Sequence, residues 1–309
     1  MNFTRLRYFA KIVDVGSMTQ AADLLNIAQP ALSQQIATLE AEVRQQLLVR
    51  TKRGVSPTVA GKTLYRHAQL ILRQCEQARM DMAAEGGGLS GPVSVGLAPG
   101  TAAAALGLPL IRTVRTRHPG IVLYLNENYG TALSELIMSG RMDLAVLYGI
   151  RSVHGLTFLP LLEEELFLVG PSASVEPIAV ADMEGAELFL PRPYNVVRRL
   201  VDETFARAGV GLHVVAEVES AITLKAVVED GLGMTILPAS MAREIAAGRP
   251  TWCRRIVRPS MTAQLTLCQS DHLPLSEPAE AVKAILLELA AGLPERGGLP
   301  ADSGDPGAP

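Results

Sequence analysis

The sequence predicts a multi-domain chain: a small all-α head with a two-stranded hairpin, one long helix, and a two-lobed α/β body. Three observations predict it. "GGGLSGP" at 86–92 holds four glycines and a proline in seven residues and cannot continue a helix. Before it, apolar residues recur at helical spacing. Beyond it, short apolar runs alternate with helical patterns, as in chains built of strand–helix–strand units. A length of 309 residues suits two or three domains. Hydrophobic residues make up 48% and aromatics only 4%, so the cores must be aliphatic.

In the head, Leu6, Phe9, Ala10 and Val13 recur at i, i+3, i+4 and i+7 and predict a first helix with one apolar face. Ser17 is a suitable N-cap for a second helix over 18–25. Ala22 and Leu25 form its inner face, and Ile27 plugs the turn that follows. Pro30 falls in the first turn of a third helix, where proline is tolerated. Leu32, Ile36 and Leu39 point inward there, which leaves Gln29, Ser33, Gln34, Ala37 and Thr38 outside.

That outer face is polar and uncharged. A glutamine amide can bond adenine in two places, and a serine hydroxyl can bond a base or a phosphate. Two short helices joined by a tight turn, the second exposing such groups, make a helix-turn-helix over 18–37. The cations it lacks lie just beyond. "LLVRTKRGVSPT" (47–58) reads as a hairpin, or wing, and places Arg50, Lys52 and Arg53 where they would meet phosphate. The competing reading is a small helical bundle with solvated polar faces; the basic hairpin is what argues against it.

From 59 to 85, Leu64, Ala68, Ile71, Cys75, Ala78 and Met82 keep heptad spacing. A helix of that length spans ~40 Å, too long to bury one stripe against a small head. The expected partner is the same helix of a second chain, the alternative being the chain's own body.

A hinge is expected at 86–91 and an α/β body at 92–291. "PVSVGLAP" (92–99), "IVLYLNEN" (121–128), "MDLAVLYG" (142–149), "EELFLVGP" (164–171) and "GMTILP" (233–238) read as strands. Helices are expected from Ala102 to near Gly120 and over 130–140. The alternation implies a parallel sheet. The Pro/Gly-rich end, 292–309, reads as a disordered tail.

Charge separates head from body. Up to residue 86 there are eleven basic and seven acidic residues, a balance of +4; the remainder carries 17 and 24, or −7. A basic head on an acidic body suits a head that touches phosphate. Three widely spaced cysteines, Cys75, Cys253 and Cys268, argue against a disulfide framework and for a reducing, cytoplasmic compartment. No stretch approaches ~20 uninterrupted apolar residues, so no membrane span is expected. His67, His118, His154, His213 and His272 are scattered singly, no cysteine pair has zinc spacing, and the glycine run lacks the lysine of a phosphate loop. An enzyme is not expected, nor a metal site or cofactor.

"LRYFAKIVDVGSMTQAADLLNIAQPALSQQIATLE" followed by "LLVRTKRGVSPTVAGKTLYRHAQLIL" resembles the LysR-type transcriptional regulators. The resemblance runs from residue 1 to about 290. "IAQPALSQQIATLE", "QQLLVRTKRGVSPT", "ILRQCEQA" and "VGLAPGTAA" are most similar to the branch that governs nitrogen assimilation in enteric bacteria. It implies a winged helix-turn-helix at 1–58, a linker helix at 59–85, and an effector domain of periplasmic-binding-protein type. Lobe I would comprise about 92–161 and 268–291, and lobe II about 162–267.

The resemblance also implies a double-stranded DNA operator and RNA polymerase as partners. It implies a homodimer that pairs into a homotetramer, acting as activator and repressor. DNA contacts carry over to Gln29, Pro30, Ser33 and Arg53. The family often has Arg where this chain has Gln34, which takes one cation from the groove face. The family's small-molecule pocket carries over to Thr101, Asn128, Tyr129 and Tyr148; whether an effector binds there is left open. A ligand-gated regulator of another metabolic operon, and more remotely a solute-binding sensor, are the alternatives, and the sensor would have no use for a basic winged head.

Overall fold

The computed structural model describes residues 2–51, 54–83, 88–149, 153–171, 176–245 and 253–293. These fall into two compact units, one of the residues up to Gly88 together with Met138–Arg141, the other of Leu89–Ile137 and the residues from Met142 on.

The first unit contains α1 (Phe3–Val15), α2 (Met18–Leu24), α3 (Gln29–Val43), the hairpin β1 (Leu48–Thr51) and β2 (Gly54–Pro57), and α4 (Val59–Ala83). Local chemistry marks the ends. The Asn2 side chain accepts from the Thr4 amide at 2.7 Å, and Ser17 accepts from Gln20 N at 3.4 Å. Phe9, Ile12, Ala21, Leu32, Ile36 and Leu39 are buried at its centre.

Two expectations shift here. The fourth inward position of α1 is Ile12, fully buried, while Val13 is only half-buried. In α2, Ala21 is buried beside Ala22, while Leu25 is half-buried. α1 is gripped by α2, α3 and α4 together, so its buried arc is wider than a single-stripe pattern suggests.

The second unit opens with β3 (Ser90–Leu97), a 3-10 turn at Ala102–Leu106 and α5 (Gly107–Arg117). β4 (Gly120–Glu127), α6 (Gly130–Met138), β5 (Leu144–Tyr148) and β6 (Leu156–Val169) follow. Then come β7 (Ile178–Ala179), β8 (Glu187–Leu190), α7 (Val196–Ala208), β9 (His213–Glu217) and α8 (Ala221–Glu229). The unit ends with β10 (Thr235–Pro238), α9 (Ala239–Ile245), β11 (Cys253–Val257), β12 (Thr262–Ser270) and α10 (Glu277–Ala291).

The expected parallel sheet is found only in part. β3 pairs with β4 and β5 in parallel, but β12 is antiparallel to both β5 and β6, and β10 and β11 are antiparallel to β6. The path is β4-β3-β5-β12-β6-β11-β7, with β10 also on β6. β6 and β12 are the cause. The chain leaves one lobe along β6 and returns along β12, and two strands that go and come back must run opposite ways.

β6 is also longer than the 164–171 run predicted, because it begins at Leu156 and passes through Pro160. A register shift between Leu265 and Thr266 of β12 leaves Leu161 unpaired, next to Pro160, which faces Thr266; a proline, with no N–H to give, is tolerated beside such a bulge.

Lobe I thus gathers β3, β4 and β5 with α5, α6 and α10; lobe II gathers β7 to β11 with α7, α8 and α9. Apolar side chains bury from both halves: Leu97, Leu110, Val146 and Leu286 in lobe I, Phe167, Val228, Leu237 and Ala242 in lobe II. Among the described residues no helix is long and apolar enough to cross a membrane.

Candidate nucleic-acid interface

The turn between α2 and α3 is four residues, Leu25 to Ala28, and Asn26 holds φ +54°. Asparagine is among the few side chains that adopt the left-handed region readily. Ile27 packs beneath this turn on the head core. α3 then begins at Gln29 with Pro30 in its first turn, and no side chain caps it.

With Leu32, Ile36 and Leu39 buried, the opposite face of α3 looks out. Pro30, Gln34 and Ala37 are exposed, and Gln29, Ser33 and Thr38 are half-buried. Thr38 turns its hydroxyl back to the Gln34 carbonyl at 2.9 Å. Among the described residues the Gln29 and Gln34 amides bond no side chain, so both are uncommitted.

The helix is braced from three sides. Arg5 of α1 donates to Gln35 Oε1 at 2.9 Å and pairs with Glu42. Glu40, at the far end of α3, accepts from the amides of Leu47 and Leu48 at 2.7 and 3.1 Å, which anchors the wing to the helix. Arg50, exposed on β1, donates to Ser33 Oγ at 2.7 Å. That last bond places a wing cation against the outer face itself. At the base of the wing a Cβ on Gly61 would lie 2.0 Å from the Leu47 carbonyl oxygen, so only glycine lets α4 approach so closely. Lys52 and Arg53 lie outside the described residues.

Leu64 packs on the head core and Ala68 is fully buried within the chain, whereas Ile71, Cys75, Ala78 and Met82 are exposed. The heptad stripe is therefore spent on the chain itself in its first third and bare in the remainder. Near its start, Tyr65 donates to Asp14 of α1; burial, then that carboxylate, raises the phenol's pKa.

In the second unit the four cleft residues are all engaged. Thr101 Oγ1 donates to the Ala98 carbonyl at 2.8 Å and accepts from Ala103 N at 3.0 Å, as the cap of the 3-10 turn. The Asn128 side chain accepts from the Tyr129 amide at 2.9 Å. The Tyr129 hydroxyl crosses to lobe II and donates to the Glu219 carbonyl at 2.9 Å. Tyr148 donates to Glu164.

Arg5, Glu40 and Glu164 were missed from the sequence. Arg5 and Glu40 act over long separations that no local pattern records. Glu164 did leave a signal: it is the middle of "EEE" (163–165) inside a strand run. Alternation must turn the middle acid to the opposite face from its neighbours. Burial raises the thiol pKa of Cys253 to about 11 and of Cys268 to about 12, so neither is a reactive centre. No group of side chains able to hold a metal is found among the described residues.

Residues 3–62 match the model of the bacterial regulatory helix-turn-helix proteins of the lysR family, and residues 86–291 match the LysR substrate binding domain. Over 295 residues the chain is 52% identical to the nitrogen assimilation regulatory protein nac of Klebsiella aerogenes, covering 94% of this chain and 96% of that protein. Against the protein of that name in Escherichia coli K12 it is 50% identical over 293 residues, covering 94% and 95%. Among solved structures it is similar to full-length OxyR of Pseudomonas aeruginosa, with 23% identity, 95% of each chain covered and a TM-score of 0.71. It is similar also to full-length CbnR in complex with its target DNA, with 24% identity, 94% and 100% covered and a TM-score of 0.64.

Proposed function

Because the chain belongs to the LysR family of bacterial DNA-binding transcriptional regulators, we propose that it controls nitrogen-assimilation genes, as activator at some promoters and repressor at others. It sets the outer face of α3 into the major groove of an operator. Gln29, Pro30, Ser33 and Gln34 meet base edges there, and Arg50, Lys52 and Arg53 of the wing meet phosphate. The exposed stripe Ile71, Cys75, Ala78 and Met82 of α4 pairs two chains, which supplies two heads for two half-sites. The working form is a cytoplasmic homodimer or homotetramer in contact with RNA polymerase.

One observation supports this reading above the rest: α3 carries an outward polar face with uncommitted glutamine amides, braced by an arginine from the wing. The regulatory target rests on the identity to two nitrogen assimilation regulators along nearly the whole chain.

Genome-wide mapping of bound sites tests the target: enrichment upstream of ammonium-assimilation and amino-acid-utilisation genes is expected, and sites confined to an unrelated operon reject it. A salt titration tests the interface. Operator affinity should fall steeply between low and physiological salt, and Arg50→Ala should reduce the log–log slope by about 1 per head. A slope unchanged in Arg50→Ala would take the wing off the phosphates.

A further inference from the structure

Glu164 stands on β6, one of the two strands that run through both lobes. It is only 4% exposed. Its two carboxylate oxygens are divided between the lobes. Oε2 accepts from the Ala102 amide at 3.1 Å and from the Tyr148 hydroxyl, both in lobe I. Oε1 accepts from the Ser240 amide at 3.0 Å, in lobe II.

No lysine or arginine bridges to it among the described residues. A buried carboxylate without a cation is costly unless several donors converge on it, and here two main-chain amides and a phenol do. Burial, and after it the carboxylate, push the Tyr148 pKa well above its ordinary value, so the phenol keeps its proton and donates. Such a constellation is how proteins hold a carboxylate ligand rather than an ion pair.

The surroundings fit a joint between the lobes. Tyr129 of lobe I bonds the Glu219 carbonyl of lobe II. Gly100, at φ +69°, has room for a Cβ only 3.1 Å from the sulfur of Met241 on α9. The Ser240 hydroxyl oxygen is buried with no hydrogen-bond partner, a spare donor beside the amide that holds Oε1.

We propose that the cleft between the lobes is a carboxylate-binding site whose ligand is built into the chain: the Glu164 side chain fills it from within and latches lobe I to lobe II. The latch needs no small molecule to join the lobes, since one carboxylate already accepts from the Ala102 and Tyr148 donors of lobe I and the Ser240 amide of lobe II. It concerns the second unit alone and does not depend on which genes are controlled.

The test is chemical rescue of the full-length chain, read without DNA. Wild type, Glu164→Ala and Glu164→Gln are compared by hydrogen exchange at the amides of residues 102 and 240 and by thermal unfolding. Measurements are made in chloride and in about 100 mM formate or acetate at equal ionic strength. Removing bonds to a charged acceptor should cost Glu164→Ala about ten- to hundredfold in protection at both amides. Formate should restore it, chloride should not, and wild type should respond to neither.

Three results overturn the proposal: amides that stay protected in Glu164→Ala, equal rescue by formate and chloride, or a parallel rise in wild type. If Glu164→Ala does not fold, Glu164→Gln decides. Its single carbonyl oxygen can serve one lobe, so one amide of the pair should lose protection. Retention of both rejects the latch. None of these outcomes depends on operator binding, so failure here and failure of the regulatory reading are separable.

Discussion

The outer face of α3 and the cleft between the lobes are built from similar side chains and use them in opposite ways. On α3 the Gln29 and Gln34 amides bond no side chain among the described residues, and the Ser33 hydroxyl accepts from Arg50. In the cleft, Thr101, Asn128, Tyr129 and Tyr148 are each bonded to the chain itself. Buried polar groups must find partners, and an exposed face has water until a ligand replaces it. A face left to water can give its donors and acceptors to an outside partner, whereas Thr101, Asn128, Tyr129 and Tyr148 have already given theirs to the chain.

The most severe way to break this contrast is to take one head away from the other. Ile71→Asp puts a charge into the exposed stripe of α4, close to its mate in the proposed dimer. Desolvating two like charges should abolish both dimer and operator binding while the α/β body stays folded. Sedimentation and a mobility-shift assay read both effects, and an intact Ile71→Asp dimer would place the interface elsewhere.

A smaller effect sharpens the α3 side. If Gln34 reads a base, Gln34→Ala should lose about 1–3 kcal/mol at one base pair of each half-site and little elsewhere. Gln34→Arg should bind more tightly overall and shift preference towards guanine at that pair. Binding-site selection with the three proteins side by side is the measurement. Identical preferences in all three would leave Gln29 and Ser33 as the readers.

The smallest effect sharpens the cleft side. Thr101→Ala removes the cap of the 3-10 turn and strands the Ala103 amide, at a cost of about 0.5–2 kcal/mol to the body in denaturant unfolding. Operator sequence preference should not move. Full stability in Thr101→Ala would return Thr101 to the role of a ligand contact.

What the sequence determined by itself is chiefly the head. Ser17 sets the start of α2, Pro30 sets the start of α3, and the i, i+4, i+7 spacing of Leu32, Ile36 and Leu39 turns its polar face outward. These signals lie within a few residues of one another, so caps and periodicity disclose them before any packing is known. The strands of lobe I were legible for the same reason, as short apolar runs between turns.

Only the tertiary structure decided the rest. Strand direction depends on the return of β12 alongside β6, about a hundred residues later in the chain. The division of the α4 stripe depends on Leu64 packing against helices far upstream. Glu164 meets donors 62, 16 and 76 residues away. No local period encodes such a meeting; it exists because two lobes fold over one strand and leave a buried side chain of that strand within reach of both.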